Sequence, residues 1–354
     1  MHIPDNYLSP ATCAVMGAIM VPAWTISARQ VKKLPTAKIP MLGIGSAFAF
    51  LIMMFNIPVP GGTTAHAIGG TLMAVLLGPW AACIAVSVAL LIQCLLFGDG
   101  GVLAFGANCF NMAFVTPFLG YFIYTFLRSR VRSEHGGLVS LGVASYLALA
   151  MAALCAAIEL GLQPALARDA AGLPMYCPYP LVISIPAMLI PHLAVVGFVE
   201  VFFTVGVFSF IRRVSPGSVY EGARTKIHLI YGLLVALVCL SPLGLLAPGS
   251  AWGEWGAEEI QHVMTGGHSL GFVPARIANG FRLHAAFSDY AVPGLPEWLG
   301  YVLSAITGGA ALLILFKLLG LLKHPHSVMG EGGVKKINTA LVNVTSDNNK
   351  FIKS

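Results

Sequence analysis

The chain has 354 residues, 57% of them hydrophobic and 10% charged, with a mean hydropathy of +0.82 and a formal net charge of +6. A soluble domain carries roughly 25% charged residues, so this composition excludes a soluble globular protein and leaves an integral membrane protein. The positive surplus is read as a marker of orientation across the bilayer, and no nucleic-acid partner is expected.

In chain order, the first feature is the pair Met1-His2, with no lysine or arginine ahead of an apolar run that opens near Ala11. A cleavable signal peptide is not expected, because residues 1–10 lack a basic region and no small-x-small site follows the first run. Histidine is too large a second residue for removal of the initiator methionine, so a free Met1 amine is expected. That amine, the amide nitrogen of His2 and the His2 ring Nδ1 can close two adjacent chelate rings in one plane around a metal.

Apolar runs suited to a ~30 Å hydrocarbon core are predicted at about 11–28, 40–57, 64–78, 79–97, 104–127, 137–162, 184–211, 227–247 and 298–319. They are continuous, rich in Leu, Ala, Val and Ile, and lack the alternation of a lipid-facing barrel. The expected fold is therefore all-α and polytopic, with about nine transmembrane helices. Placing the N-terminus outside leaves only Arg168, Arg276 and Arg282 of the 20 basic residues on the outer side. The rest, Arg132 and Arg224 among them, fall inside, so the C-terminus is expected in the cytoplasm.

The stretch Pro60-Gly61-Gly62-Thr63-Thr64-Ala65-His66-Ala67-Ile68-Gly69-Gly70 places His66 at the start of a predicted outer-facing helix, at the same face as Met1 and His2. Glycines on both sides permit close backbone approach, and Thr63 and Thr64 are available to cap the helix or to bond the ligand set. His66 is the candidate fourth ligand, set against the commoner role of a lone membrane histidine in packing. A plane of four nitrogens suits Ni(II) or Cu(II), whereas Zn(II) prefers a tetrahedron and Mg(II) or Ca(II) prefer oxygen. Binding must displace the amide proton and needs a neutral ring, so affinity is expected to fall in acid.

Asp99 and Asn108 fall near the outer ends of the fourth and fifth runs. Either they hydrogen-bond the ligating imidazoles, or Asp99 begins a Gly-rich turn and Asn108 satisfies a neighbouring helix. Asp5 orients the N-terminal segment or caps the first helix, with Ser9 as its rival. His192 and Glu200 lie roughly on one face of the seventh run, two turns apart; pairing with other helices or with a partner subunit is expected ahead of direct metal contact. The seven cysteines, Cys13, Cys83, Cys94, Cys109, Cys155, Cys177 and Cys239, form no C-x-x-C pair and read as small buried hydrophobes. The segment 248–297 gathers Glu254, Glu258, Glu259, His262, His268 and His284 without an H-E-x-x-H motif and reads mainly as solvated loop. Residues 324–354 read as a disordered cytoplasmic tail.

The opening Met1-His2-Ile3-Pro4-Asp5-Asn6-Tyr7-Leu8-Ser9-Pro10, the segment Thr64-Ala65-His66-Ala67-Ile68-Gly69-Gly70, and Phe97-Gly98-Asp99-Gly100-Gly101 followed by Gly106-Ala107-Asn108 and Asn111-Met112 resemble the CbiM/NikM family. These are substrate-capture components of energy-coupling factor transporters for nickel and cobalt. The resemblance covers about residues 1–215; residues 216–323, with two helices around the outer segment 248–297, resemble the companion NikN. It implies a metal held by the Met1 amine, the His2 amide nitrogen and ring, and the His66 ring. It also implies a transmembrane coupling protein and two ATP-binding cassette subunits as partners, in the cytoplasmic membrane. Asn6 departs from the pattern, since many relatives have glycine there.

The chain carries no G-x-x-x-x-G-K-[ST], so ATP hydrolysis is expected in separate subunits. No catalysis and no resident cofactor are expected, only a transported Ni(II). Two alternatives stand beside nickel import: cobalt import by the same architecture, and a membrane metalloenzyme using His262, His268 and His284. An ion-driven carrier is disfavoured because the helices offer few carboxylates beyond Glu159 and Glu200.

Overall fold

The computed structural model describes residues 1–35, 38–59, 63–131, 133–216, 226–247, 249–265 and 268–322. Pro60, Gly61, Gly62, Arg132, Arg224 and the expected tail at 324–354 lie outside the described residues. The main helices are α1 (Pro10–Lys33), α2 (Ile39–Met53), α3 (Gly70–Leu77), α4 (Pro79–Phe97), α5 (Phe105–Arg128), α6 (Glu134–Leu166), α7 (Leu181–Val214), α8 (Ile227–Leu246) and α9 (Glu297–Leu322). Strands are confined, among the described residues, to two short hairpins: Ile57–Val59 with Thr63–Ala65, and Met264–Thr265 with His268–Ser269. The all-helical expectation holds.

Seven of these helices are long and apolar enough to cross a membrane, and the chain is a multi-pass membrane protein. Of the nine runs drawn from hydropathy, two fall short: α2 has 15 residues and α3 only 8. Twelve of the 15 residues of α2 are buried, because it packs among α4, α8 and α9. A helix apolar all round suits such a central place, surrounded by protein rather than lipid.

The run at 64–78 is divided more sharply. Thr63–Ala65 is a strand, residues 66–69 have no regular secondary structure, and α3 starts only at Gly70. Gly69 (φ +75°) and Gly78 (φ +88°) stand at its two ends in conformations that other residues resist. His66 therefore precedes the helix by four positions and does not begin it. Nor do the threonines act as expected there: Thr63 Oγ1 donates to the Ser250 carbonyl at 3.1 Å, and Thr64 bridges to Ala251.

Ser9, not Asp5, caps α1, its hydroxyl accepting from the Thr12 amide at 3.3 Å with Pro10 in the first turn. Turns of π-helix widen α4 at Gln93–Phe97, α5 at Cys109–Val115 and α7 at His192–Val196, each holding a buried polar residue, Gln93, Asn111 and His192 respectively. The seven cysteines are free; Cys83, Cys94, Cys109 and Cys177 are buried as expected, but Cys239 is exposed.

The two ends of the bundle differ. Lys32 and Lys33 of α1, Arg128 of α5, and Arg212 and Arg213 of α7 occupy last turns at one end. At the other, the N-terminal segment meets the 249–296 region. Tyr7 Oη donates to the Trp255 carbonyl at 2.8 Å, the Arg276 amide to the Met175 carbonyl at 3.0 Å, and the Phe287 amide to the Leu96 carbonyl at 2.9 Å.

Candidate metal-binding site

Residues 1–9 are drawn into the bundle, with Met1, His2, Ile3, Tyr7 and Leu8 all buried. A buried extended segment must satisfy every backbone group, and the donors come from several elements. Asn108 of α5 brackets Ile3, accepting from its amide at 2.7 Å and donating to its carbonyl at 3.0 Å, while the Gly101 amide donates to the same carbonyl at 2.8 Å. The Asp5 carboxylate accepts from the Val102 and Leu103 amides at 3.1 and 2.7 Å. A Cβ on Gly101 would stand 2.5 Å from the Asp5 amide nitrogen, so the contact requires glycine. Further along, the Cys177 amide donates to the Tyr7 carbonyl at 3.0 Å and the Ser9 amide to Gln163 Oε1 at 2.9 Å. Asp5 and Asn108 thus act on main chain, and Asn108 touches neither imidazole through a hydrogen bond.

Asn6 makes the turn in this segment with φ +71°, the left-handed region in which glycine is easiest and asparagine comes next. Its side chain also pairs reciprocally with the Phe281 backbone, donating to the carbonyl at 2.7 Å and accepting from the amide at 3.0 Å. The departure from glycine adds a tie to the second half of the chain.

The result is a nest of nitrogens. His66 Nε2 lies 3.2 Å from His2 Nδ1 and 3.5 Å from the Met1 amine, with the two rings 4.8 Å apart at 31°. His66 Nδ1 lies 3.1 Å from the Ala67 carbonyl, which can only accept, so this nitrogen carries the proton and Nε2 faces the nest as a lone pair. Metal–nitrogen bonds of about 2.0–2.1 Å put neighbouring donors in a plane about 3 Å apart; a contraction of a few tenths of an ångström would close these three around an ion.

Glu200 of α7 fixes the His66 segment. Its carboxylate accepts from the Ile68 amide at 2.7 Å and from Gly69 at 3.0 and 3.1 Å, charge-assisted bonds that hold the backbone just after His66. His192, two turns away, bonds its own helix at the Met188 carbonyl, 2.6 Å. Pairing with neighbouring structure, the role expected for both, describes Glu200 well.

Two carboxylates approach the nest. Asp99 Oδ1 lies 3.0 Å from His2 Nδ1, and Glu254 Oε1 lies 3.4 Å from the Met1 amine. Glu254 thus faces the amine whose protons a chelated metal would displace. Burial pushes its carboxyl up to about 7, the neighbouring amine opposing the rise. Burial, followed by the positive amine, holds both His2 and His66 well below the ordinary imidazole value, which keeps the rings neutral.

Among the described residues no group of three or more His, Cys, Asp or Glu side chains is arranged to hold a metal by itself. The capacity of this end for a cation rests on main-chain nitrogens together with rings. His262 and His284 are exposed, and the His262 ring lies 3.1 Å from the Gln261 amide nitrogen; the side chain of His268 lies outside the described residues. Sequence reasoning left Glu254 among loop residues and passed over Gln93 and Tyr290. Gln93 carried a signal, being an amide inside an apolar run; Tyr290, from a loop, carried none.

The fold and this end of it define a multi-pass membrane protein with a buried nest of nitrogen donors. Residues 2–218 match the family described as the cobalt uptake substrate-specific transmembrane region, CbiM, and residues 226–324 match the PDGLE domain. The chain belongs to the CbiM family. It is 53% identical to the probable fused nickel transport protein LarMN of Lactiplantibacillus plantarum, over 92% of this chain and 98% of that one. It is 46% identical to the fused nickel transport protein NikMN of Rhodobacter capsulatus, over 88% and 95%. A crystal structure of a truncated transition metal transporter superposes with a TM-score of 0.57 at 54% identity, covering 60% of this chain and 99% of that one.

Proposed function

We propose that this chain captures Ni(II) outside the cytoplasmic membrane as the substrate-binding subunit of an ATP-driven importer. The observation that carries the reading is the approach of His66 Nε2 to His2 Nδ1 at 3.2 Å and to the Met1 amine at 3.5 Å. With the His2 amide nitrogen between amine and ring along the chain, these make four nitrogens for one ion. Amine, anionic amide and two imidazoles impose a strong planar field, which favours the eight d electrons of Ni(II) over the seven of Co(II). Cobalt is the second reading, supported by the description of the matching family; nickel is favoured by the names of the relatives at 53% and 46% identity.

The reading divides the chain into a capture unit over 1–215 and a companion over 216–323, a division supported by two family matches that part between 218 and 226. A transmembrane coupling subunit and two ATPase subunits complete the transporter. Basic last turns at the end opposite the nest support an N-terminus facing outward. Cysteine placed at the exposed Ala170 should then be labelled in intact cells.

The test is metal content in protein purified with an untouched N-terminus, whose mass spectrum establishes that Met1 starts the mature chain. Nickel at about one per chain, lost when one alanine precedes Met1, is the expected result. Cobalt in its place, or nickel held as tightly by the extended chain, would overturn the assignment.

A further inference from the structure

A cavity of about 330 Å³ lies at the end of the bundle that carries the nest, where the start of α1 meets the segment 276–281. Small-molecule sites occupy about 300–1,000 Å³, so it has room for a ligand. Leu8, Pro10, Cys13, Leu103 and Phe281 supply apolar walls, and Tyr176 and Arg276 supply side-chain donors. Asn6, also on the wall, spends its amide on the Phe281 backbone. No carboxylate lines the cavity.

Both donors are uncommitted. Arg168 and Arg282, the other arginines expected at this end, donate to the Gly172 and Ala278 carbonyls at 2.8 and 3.1 Å. The exposed Arg276 guanidinium enters no hydrogen bond or ion pair among the described residues, although its main chain is fixed by the bond from its amide to the Met175 carbonyl. Next in sequence to Met175, Tyr176 is only 9% exposed, yet its hydroxyl has no hydrogen-bond partner among the described residues. A phenol buried to that depth ordinarily finds one, and the space open to it here is the cavity.

The cavity sits where a lipid-facing helix begins. α1 starts at Pro10, and only 22% of its apolar window is buried in the protein, so its free face lies against acyl chains. Pro10, Ala14 and Val21 fall on one stripe of that helix and are exposed. A Cβ on Gly17, on the same stripe, would meet nothing within 4 Å. Leu103 and Phe281, 48% and 46% exposed, extend the apolar rim at the cavity itself. A cationic cavity at the helix end, continued by an apolar stripe along the helix, has the polarity of a phospholipid: phosphate above, acyl chain below.

We propose that this cavity binds the headgroup of an anionic phospholipid, Arg276 and Tyr176 donating to its phosphate while an acyl chain lies along Pro10, Gly17 and Val21. A guanidinium with no carboxylate beside it favours a headgroup of net negative charge over one that also carries an ammonium. The walls join Leu8 and Pro10, from the segment that begins with Met1 and His2, to Arg276 and Phe281 from beyond α8. A bound lipid therefore ties the N-terminal segment down from the membrane side. The inference is independent of which metal, if any, the nest holds.

The experiment titrates phosphatidylglycerol, phosphatidylcholine or inorganic phosphate into the delipidated full chain in detergent, counting bound lipid by native mass spectrometry and following the melting temperature. Native protein is compared with Arg276→Gln, Arg276→Lys, Tyr176→Phe and, as control, Arg282→Gln. One phosphatidylglycerol per chain should bind and raise the melting temperature. Arg276→Gln should weaken that binding about fivefold or more and Arg276→Lys restore most of it, while Arg282→Gln should change it less than about twofold. Tyr176→Phe should weaken it about two- to tenfold, yet without lipid it should melt no lower than the native chain, because its hydroxyl has no partner to lose. Native affinity in Arg276→Gln, or an equal loss in Arg282→Gln, would overturn the proposal. So would phosphatidylcholine bound as tightly as phosphatidylglycerol, or inorganic phosphate raising the melting temperature as far as the lipid does.

Discussion

Glu254 Oε1 lies 3.4 Å from the Met1 amine although 253 positions separate the two residues. The contact joins the start of the chain to the segment that follows α8, and it places a carboxylate beside the amine of the proposed metal site.

One consequence is a dependence of stability on pH. The Glu254 carboxyl is raised from the ordinary 4.5 to about 7, so its contribution is fully present below about 4.5 and is lost as pH climbs through about 7. Glu254→Gln should gain on the native chain across that window, by no more than about 2 kcal/mol because a side chain still 24% exposed is partly screened. Thermal melting of both metal-free proteins from pH 4.5 to 7.5 checks this, and a constant difference would remove the argument. The neutral imidazoles act in the opposite sense: held below 6.5, they support the fold above that pH and withdraw support as acid charges them.

His2 and His66 should differ in weight. Substituting His2 by alanine removes the ring that closes one of two fused chelate rings, whereas His66→Ala removes a single donor that water can replace. We expect a larger loss of nickel affinity in His2→Ala, with both variants impaired in uptake. Isothermal titration decides it; full affinity in His66→Ala would move the fourth position to Asp99 or Glu254.

Glu200→Gln keeps the shape of the side chain but leaves one oxygen for two backbone amides. The His66 segment should loosen, and nickel affinity should fall by about tenfold or more even though Glu200 contacts no donor nitrogen of the nest. An unchanged affinity with a lowered melting temperature would show that Glu200 serves the fold alone.

At Asn6, glycine and alanine separate conformation from bonding. Asn6→Gly keeps the left-handed turn and loses the pair with Phe281, a cost of about 1–3 kcal/mol at most. Asn6→Ala loses the pair and is also strained, by about 1–2 kcal/mol more. Nickel affinity should follow the order native, Gly, Ala, and a reversal of the last two would contradict the φ of +71°.

Composition and periodicity determined the solvent in which this chain folds, the helical class and most of the helices, because each is a local property of residues summed over a span. The proposed Met1-His2 chelate could be drawn from sequence for the same reason: adjacent residues carry its three nitrogens. Tertiary structure decided the rest. The run at 64–78 is apolar because it is buried in protein, and hydropathy cannot tell that from burial in lipid. Thr63, Glu200, Gln93, Tyr290 and Glu254 each bond a residue 132 or more positions away, so no local pattern announces these contacts. What the fold adds to the candidate site is the convergence itself. Asn108 and Gln163 from two helices, with loop groups around Gly101, Cys177, Trp255 and Phe281, hold the N-terminal segment in place, and only three dimensions bring them together.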